Sequence, residues 1–183
     1  MHLSKYYAGI GSRETPDDVL ELMYSLAQDF YHNGWTLRSG GAPGADQAFE
    51  WGVADEYIKD NGWKCAEIYL PWPSFEKDNR SWIKPRLTEP GPGAAGIAQI
   101  YHPRFKYLSY GAKKLMARNT HQVLGPDLEN IVPSNLVLCW TKGAKGGGGT
   151  GQAIRIANAW EIPVYDLEDP KTPEIIMEIL EVG

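Results

Sequence analysis

The chain has 183 residues, the size of one ordinary domain, and 43% of them are hydrophobic, enough for a core. Its 18 Lys and Arg against 23 Asp and Glu give a formal net charge of −5, which argues against a protein that coats nucleic acid through a general basic surface. The 20 Gly and 13 Pro together make 33 residues, below the low-complexity range, so the glycines are expected to mark particular turns.

Strand-like and helix-like segments alternate along the chain, which predicts an α/β fold with a mainly parallel sheet flanked by helices. Tyr6 to Ile10 is a short β-prone run ending in Gly9-Ile10-Gly11-Ser12-Arg13. A helix start follows at Thr15-Pro16-Asp17-Asp18, with Thr15 as cap, Pro16 at the first helical position and two acids at the positive end of the dipole. Val19, Leu22, Met23, Leu26 and Phe30 continue at helical spacing until Asn33-Gly34. Trp35 to Arg38 reads as a second strand, running into Ser39-Gly40-Gly41-Ala42-Pro43-Gly44-Ala45-Asp46, and helical character resumes from Ala45 to about Lys59. Cys65 to Leu70 is a third strand.

Residues 71–103 have a different texture, with six prolines among Trp72, Phe75, Trp82 and Tyr101, and read as an insertion without regular structure. Its aromatic residues either form a lid that stacks a base or pack the insertion onto the sheet; packing is the commoner use. Phe105 to Asn119 reads as a helix that ends at Arg118-Asn119. Asn135 to Trp140 is a buried strand, and it enters the loop from Thr141 through Gly146-Gly147-Gly148-Gly149-Thr150 to Gly151. A helix bearing Ala153, Ile154, Ala157 and Trp160, a strand from Ile162 to Tyr165 and a last helix from about Thr172 to Leu180 complete the chain. No repeat or linker divides residues 1–183, so a single domain is expected.

Three glycine-bearing turns each follow a strand and open a helix. In a parallel sheet such turns lie at the carboxyl ends of the strands, where ligands bind, and amides at a helix N-terminus favour anions. The third turn offers small residues, a hydroxyl and a helix start, but has neither a Walker A ending nor the position of a dinucleotide fingerprint. Its candidate ligand-binding residues are Gly146, Gly147, Gly148, Gly149 and Thr150; the competing reading is a flexible surface loop.

The second turn contributes Ser39, Gly40, Gly41, Gly44 and Asp46, with Asp46 either bonding a ribose hydroxyl or base or capping its helix. The first contributes Gly11, Ser12 and Arg13, with Glu14 either a carboxylate near a sugar or a residue suited to the helix dipole. Arg118 and Asn119 add a guanidinium for phosphate, or else a surface arginine near a helix end. The four histidines (His2, His32, His102, His121) show no metal-ligand spacing, and no Gly-x-Ser-x-Gly elbow is present, so neither a metal nor a cofactor is expected. Cys65 and Cys139 read as buried thiols. No run of 18 apolar residues occurs and the N-terminus lacks a signal-peptide core, so no membrane association and a cytoplasmic location are expected.

These residues together resemble the SLOG superfamily, the Rossmann-like group that includes DNA-processing protein A (Smf) and the Lonely Guy proteins. Gly9-Ile10-Gly11-Ser12-Arg13 resembles that group's opening G-S-R turn, and Ser39-Gly40-Gly41-Ala42-Pro43-Gly44-Ala45-Asp46 its S-G-G-A-x-G-A-D turn, the most specific match. Gly149-Thr150-Gly151-Gln152-Ala153-Ile154-Arg155-Ile156-Ala157 with Ile162-Pro163-Val164 resembles its closing segment. The arrangement is also similar to phage-encoded DprA-like members, which would place the protein in a host cytoplasm.

The resemblance implies binding of a nucleotide or a nucleotide-derived, ADP-ribose-type ligand in a dimer or higher oligomer, as a sensor or a viral protein that sequesters a signal. A second implication is a nucleotide N-glycosidase. Met116 and Arg118 match the Lonely Guy pattern, as do Gly146, Gly147, Gly149 and Thr150, but Lys145 replaces its Pro and Ala153 its catalytic Glu. Such a reaction needs a carboxylate at the anomeric carbon, leaving Glu14 or Asp46 as the catalytic candidates. Third is single-stranded DNA binding, for which Lys113, Lys114, Arg118, Lys142 and Lys145 would supply a local basic patch.

Overall fold

A computed structural model describes residues 5–60 and 65–182. His2, one of the four histidines weighed as a metal ligand, lies outside them.

Five strands form one all-parallel sheet in the order β3-β2-β1-β4-β5. They are β1 (Lys5–Gly9), β2 (Trp35–Ser39), β3 (Ala66–Ile68), β4 (Leu136–Cys139) and β5 (Val164–Asp166). Six α-helices accompany them: α1 (Asp17–His32), α2 (Ala45–Asp60), α3 (Ala94–Tyr101), α4 (Tyr110–Leu124), α5 (Gly148–Ala159) and α6 (Thr172–Val182). The arrangement is a Rossmann-like α/β fold.

Strand alternation decides which layer each helix joins. Tyr7, Leu37, Leu136 and Leu138 point to one face and pack with α1, α2 and α6 through Met23, Phe30, Phe49, Ile176 and Leu180. Ala8, Val137 and Cys139 point to the other and meet Val123 and Leu124 of α4 and Ala153, Ile156 and Ala157 of α5. Both faces are covered, as parallel sheets require. The order has its switch point between β1 and β4, because the chain moves outward from β1 to β2 and β3, then returns to β4 on the other side of β1.

Three local expectations are corrected. Thr15 does not cap α1: its hydroxyl bonds Ser12 O at 2.7 Å, and Pro16 occupies the cap position without a side-chain bond. The helix expected over 105–119 is offset: Phe105–Tyr107 is a 3-10 turn and α4 begins after Ser109, whose hydroxyl accepts from Ala112 N. Arg118 and Asn119 therefore lie inside a helix that continues to Leu124, and both are buried, which removes the reading of Arg118 as a surface residue at a helix end.

The insertion is also more ordered than expected, since α3 forms at its end with Gly93 in a left-handed conformation before it (φ 82). Ala94 and Ala98 are buried there, and Ala94 O accepts from Thr120 Oγ1 of α4. Phe75 joins the core with Trp72 edge-on to it, Tyr101 packs on Trp160 and Trp82 on Tyr57. Among the described residues no helix is long and apolar enough to cross a membrane.

Candidate functional site

A cleft of about 210 Å³ opens at the carboxyl ends of the central strands. The turn after β1 supplies Ile10, Gly11 and Arg13; the turn after β2 and the start of α2 supply Ala42 and Asp46. Across it stand Leu115, Met116, Arg118, Asn119 and Gln122 of α4, and Gly149, Thr150 and Ala153 of α5. The cleft thus lies at the sheet's switch point, bordered by the turns that leave β1 and β4 in different directions.

Its inner wall is a buried ion pair. Arg118 Nη1 stands 3.4 Å from Asp46 Oδ2 and also donates to Gly40 O. Asp46 Oδ2 accepts further from Ala42 N at 3.4 Å and Gln122 Nε2 at 3.5 Å, so the carboxylate joins the second glycine turn to α4. Burial holds the Asp46 carboxyl above its ordinary value despite Arg118. Burial likewise lowers the Arg118 guanidinium, with the nearby Arg13 acting in the same direction. Arg118 Nε is buried without a hydrogen-bond partner. Two neighbouring cations with an unsatisfied donor make this wall favourable to an anion.

The glycines of the second turn have steric causes. A Cβ on Gly40 would sit 1.7 Å from Arg118 Nη1 and 2.8 Å from Asp46 Oδ2, so the guanidinium fills the space a side chain would need. Gly41 has φ +67 and lies against Leu70 and Arg80. Ser39 is buried and donates to Gly9 O at 2.7 Å, holding β2 to β1 behind the cleft.

The opposite wall is the N-terminus of α5. The amides of Gly148, Gly149 and Thr150 fall in the first helical turn, where no carbonyl a turn earlier can accept them. Asn119 Nδ2 donates to Gly149 O and to Gln152 Oε1, both at 3.1 Å, fixing the helix start against α4. Gly151 is required by contact, since its Cβ would meet Gly146 O at 1.6 Å.

Of the residues expected at a site, Gly11, Arg13, Asp46, Arg118, Asn119, Gly149 and Thr150 line the cleft together. Gly40 lies directly behind Arg118. Ser12, Ser39, Gly41, Gly44, Gly146, Gly147 and Gly148 are not among its lining residues. Glu14 is exposed and also outside the lining, its amide bonded to Ser12 Oγ at 3.0 Å. Asp46 is therefore the only carboxylate among the lining residues, and Ala153 brings a methyl group to the wall.

Sequence reading missed Gln122. The signal was the run Arg118-Asn119-Thr120-His121-Gln122, five polar residues, all buried, between apolar Leu115-Met116 and Val123-Leu124. Among the described residues no three His, Cys, Asp or Glu side chains come together to hold a metal ion. Comparison with protein-family models, curated proteins and solved structures gave no significant match.

Proposed function

We propose that the protein binds a nucleotide or nucleotide-derived ligand in this cleft, with its phosphate between Arg118 and the first turn of α5. The observation that carries the reading is the coincidence of the cleft with the switch point, where open parallel sheets bind their ligands. Arg13, Arg118 and the α5 amides supply an anion's partners from three separate elements. The cleft is smaller than the roughly 300 Å³ at which pockets for whole drug-sized ligands begin. It therefore takes the phosphorylated sugar, and a base or second sugar extends outside.

A second reading is hydrolysis of the N-glycosidic bond, and it rests on Asp46. This carboxyl reaches the cleft and is raised in pKa by burial, as a proton donor's would be. Against it stands the engagement of its Oδ2 by Arg118, Ala42 and Gln122.

The test is incubation with AMP, other nucleoside monophosphates and ADP-ribose, following melting temperature and released base together. Stabilisation without base release supports binding alone. Base release abolished by Asp46→Asn supports the enzyme. No stabilisation by any of them, with salt-sensitive binding of an oligonucleotide instead, overturns both and favours single-stranded DNA.

A further inference from the structure

We infer that Glu168, backed by Asp166, is a positioning residue for the anion-binding loop between β4 and α5, an inference that rests on the binding reading above. The loop is an unfavourable one to hold. Gly143, Ala144 and Gly146 have φ of +63, +53 and +58, and Ala144 bears a Cβ in a region that L residues avoid. Residues 142–145, 147 and 148 are exposed, so the core does little to fix them.

Carboxylates on the neighbouring β5–α6 segment hold the loop's entrance. Glu168 uses both oxygens: Oε2 accepts from the Trp140 indole at 2.8 Å and Oε1 from Gly143 N at 3.2 Å. Asp166 accepts from Thr141 N at 3.1 Å and from the Thr141 hydroxyl, and its Oδ1 also receives Glu168 N at 3.0 Å. Ala144 N then closes a turn on Thr141 O at 2.9 Å. The loop's exit is held separately, by Asn119 on Gly149 O. Fixing both ends sets where the α5 amides point.

Two carboxylates beside a loop that receives an anion have the wrong sign for that ligand, and this makes the inference testable. If Glu168 acted on the ligand only through its charge, neutralising it would tighten binding. If it positions the loop, neutralising it removes an acceptor and weakens binding. Asp169→Asn is the control, because it removes an equal charge from the next residue, whose carboxylate accepts from Lys171 N just before α6 while its backbone bonds Asp166 O and Thr172 N.

The experiment titrates the full chain and its Glu168→Gln and Asp169→Asn variants with AMP and ADP-ribose by calorimetry at low salt. Melting temperature and amide hydrogen exchange over residues 142–148 are measured in parallel. The expected result for Glu168→Gln is affinity lower by about tenfold, the order set by one hydrogen bond to a charged group, with the melting temperature nearly unchanged and faster exchange in the loop. Asp169→Asn leaves affinity equal or tighter. Unchanged or tighter binding in Glu168→Gln overturns the inference. If the unaltered protein binds neither probe, the binding reading itself fails. The exchange data then decide the clamp alone: faster loop exchange upholds it, and unchanged exchange overturns it.

Discussion

Gly40→Ala is the substitution that most directly examines how the inner wall is built. Gly40 does not have a positive φ, so an alanine there meets no backbone penalty and its whole effect is contact. The new methyl group would lie 1.7 Å from Arg118 Nη1 and 2.4 Å from its Cζ. The guanidinium is buried, bonded to Gly40 O and Asp46, with its Cζ 5.8 Å from the Phe75 ring centroid, so it can yield only by giving up those partners. Displacing it breaks a buried ion pair, which costs about 3–5 kcal/mol because a charge is left without its partner. At the lower figure, about 3 kcal/mol, the melting temperature of a domain of this size falls by roughly 6–12 °C. Differential scanning calorimetry reads the change, and a second variant isolates its cause. In an Arg118→Leu background the clash is absent, so adding Gly40→Ala there costs much less, and the cycle shows a coupling of at least about 1.5 kcal/mol. Equal costs in both backgrounds, or a loss under about 2 °C in the single variant, would refute the contact argument.

Other substitutions separate fold from ligand. Gly147 is the exposed N-cap of α5, outside the cleft lining, and no atom beyond its chain neighbours lies within 4 Å of a Cβ built on it. Gly147→Val therefore leaves the melting temperature within about 2 °C and adds bulk only on the approach to the α5 amides; AMP titration reads the weaker binding. The Asp46 carboxyl is raised by burial, so its stabilising contribution is complete below its unfolded value near 3.8 and declines as pH rises through the folded value. Asp46→Asn therefore flattens the fall in stability on that alkaline side, measured as denaturation midpoint against pH; identical slopes would refute the assignment. His121 has the opposite sign. Its Nε2 accepts Gly91 N at 2.9 Å, its Nδ1 lies 2.8 Å from Gly125 O, and burial lowers its pKa. Its contribution is complete above the unfolded value near 6.5 and is lost as pH falls through the folded value. Hydrogen exchange at Gly91 should accelerate on acidification over that range, and His121→Gln should remove the dependence.

Much of the fold was legible because alternation and capping are local signals. The strand–helix order, the three glycine turns and the placement of Gly11, Arg13, Asp46 and Thr150 near one cleft follow from pattern alone. What was not legible depends on contacts distant in sequence. The start of α4 was displaced because Phe105 and Leu108 continue an apolar spacing that the Ser109 cap interrupts. Gly91, Gly93 and Gly96 obscured α3, which is held by packing on α4 rather than by propensity. Spacing leaves Arg118 open between a phosphate partner and a surface residue at a helix end; its partners Gly40 and Asp46, 78 and 72 positions away, place it in the interior. The anchoring of the loop by Asp166 and Glu168 is of the same kind, since no spacing connects a β5–α6 turn to a glycine loop 25 residues earlier.

The central claim, a phosphate held between Arg118 and the α5 N-terminus, is tested most directly by nuclear magnetic resonance of the labelled protein titrated with AMP and ADP-ribose. The amides of Gly148, Gly149 and Thr150 and the Nε–H of Arg118 should shift together and saturate with one dissociation constant. The amides of α6, on the far face of the sheet, should stay in place. Titration that leaves those four resonances unmoved, or moves signals only elsewhere on the surface, would contradict the account.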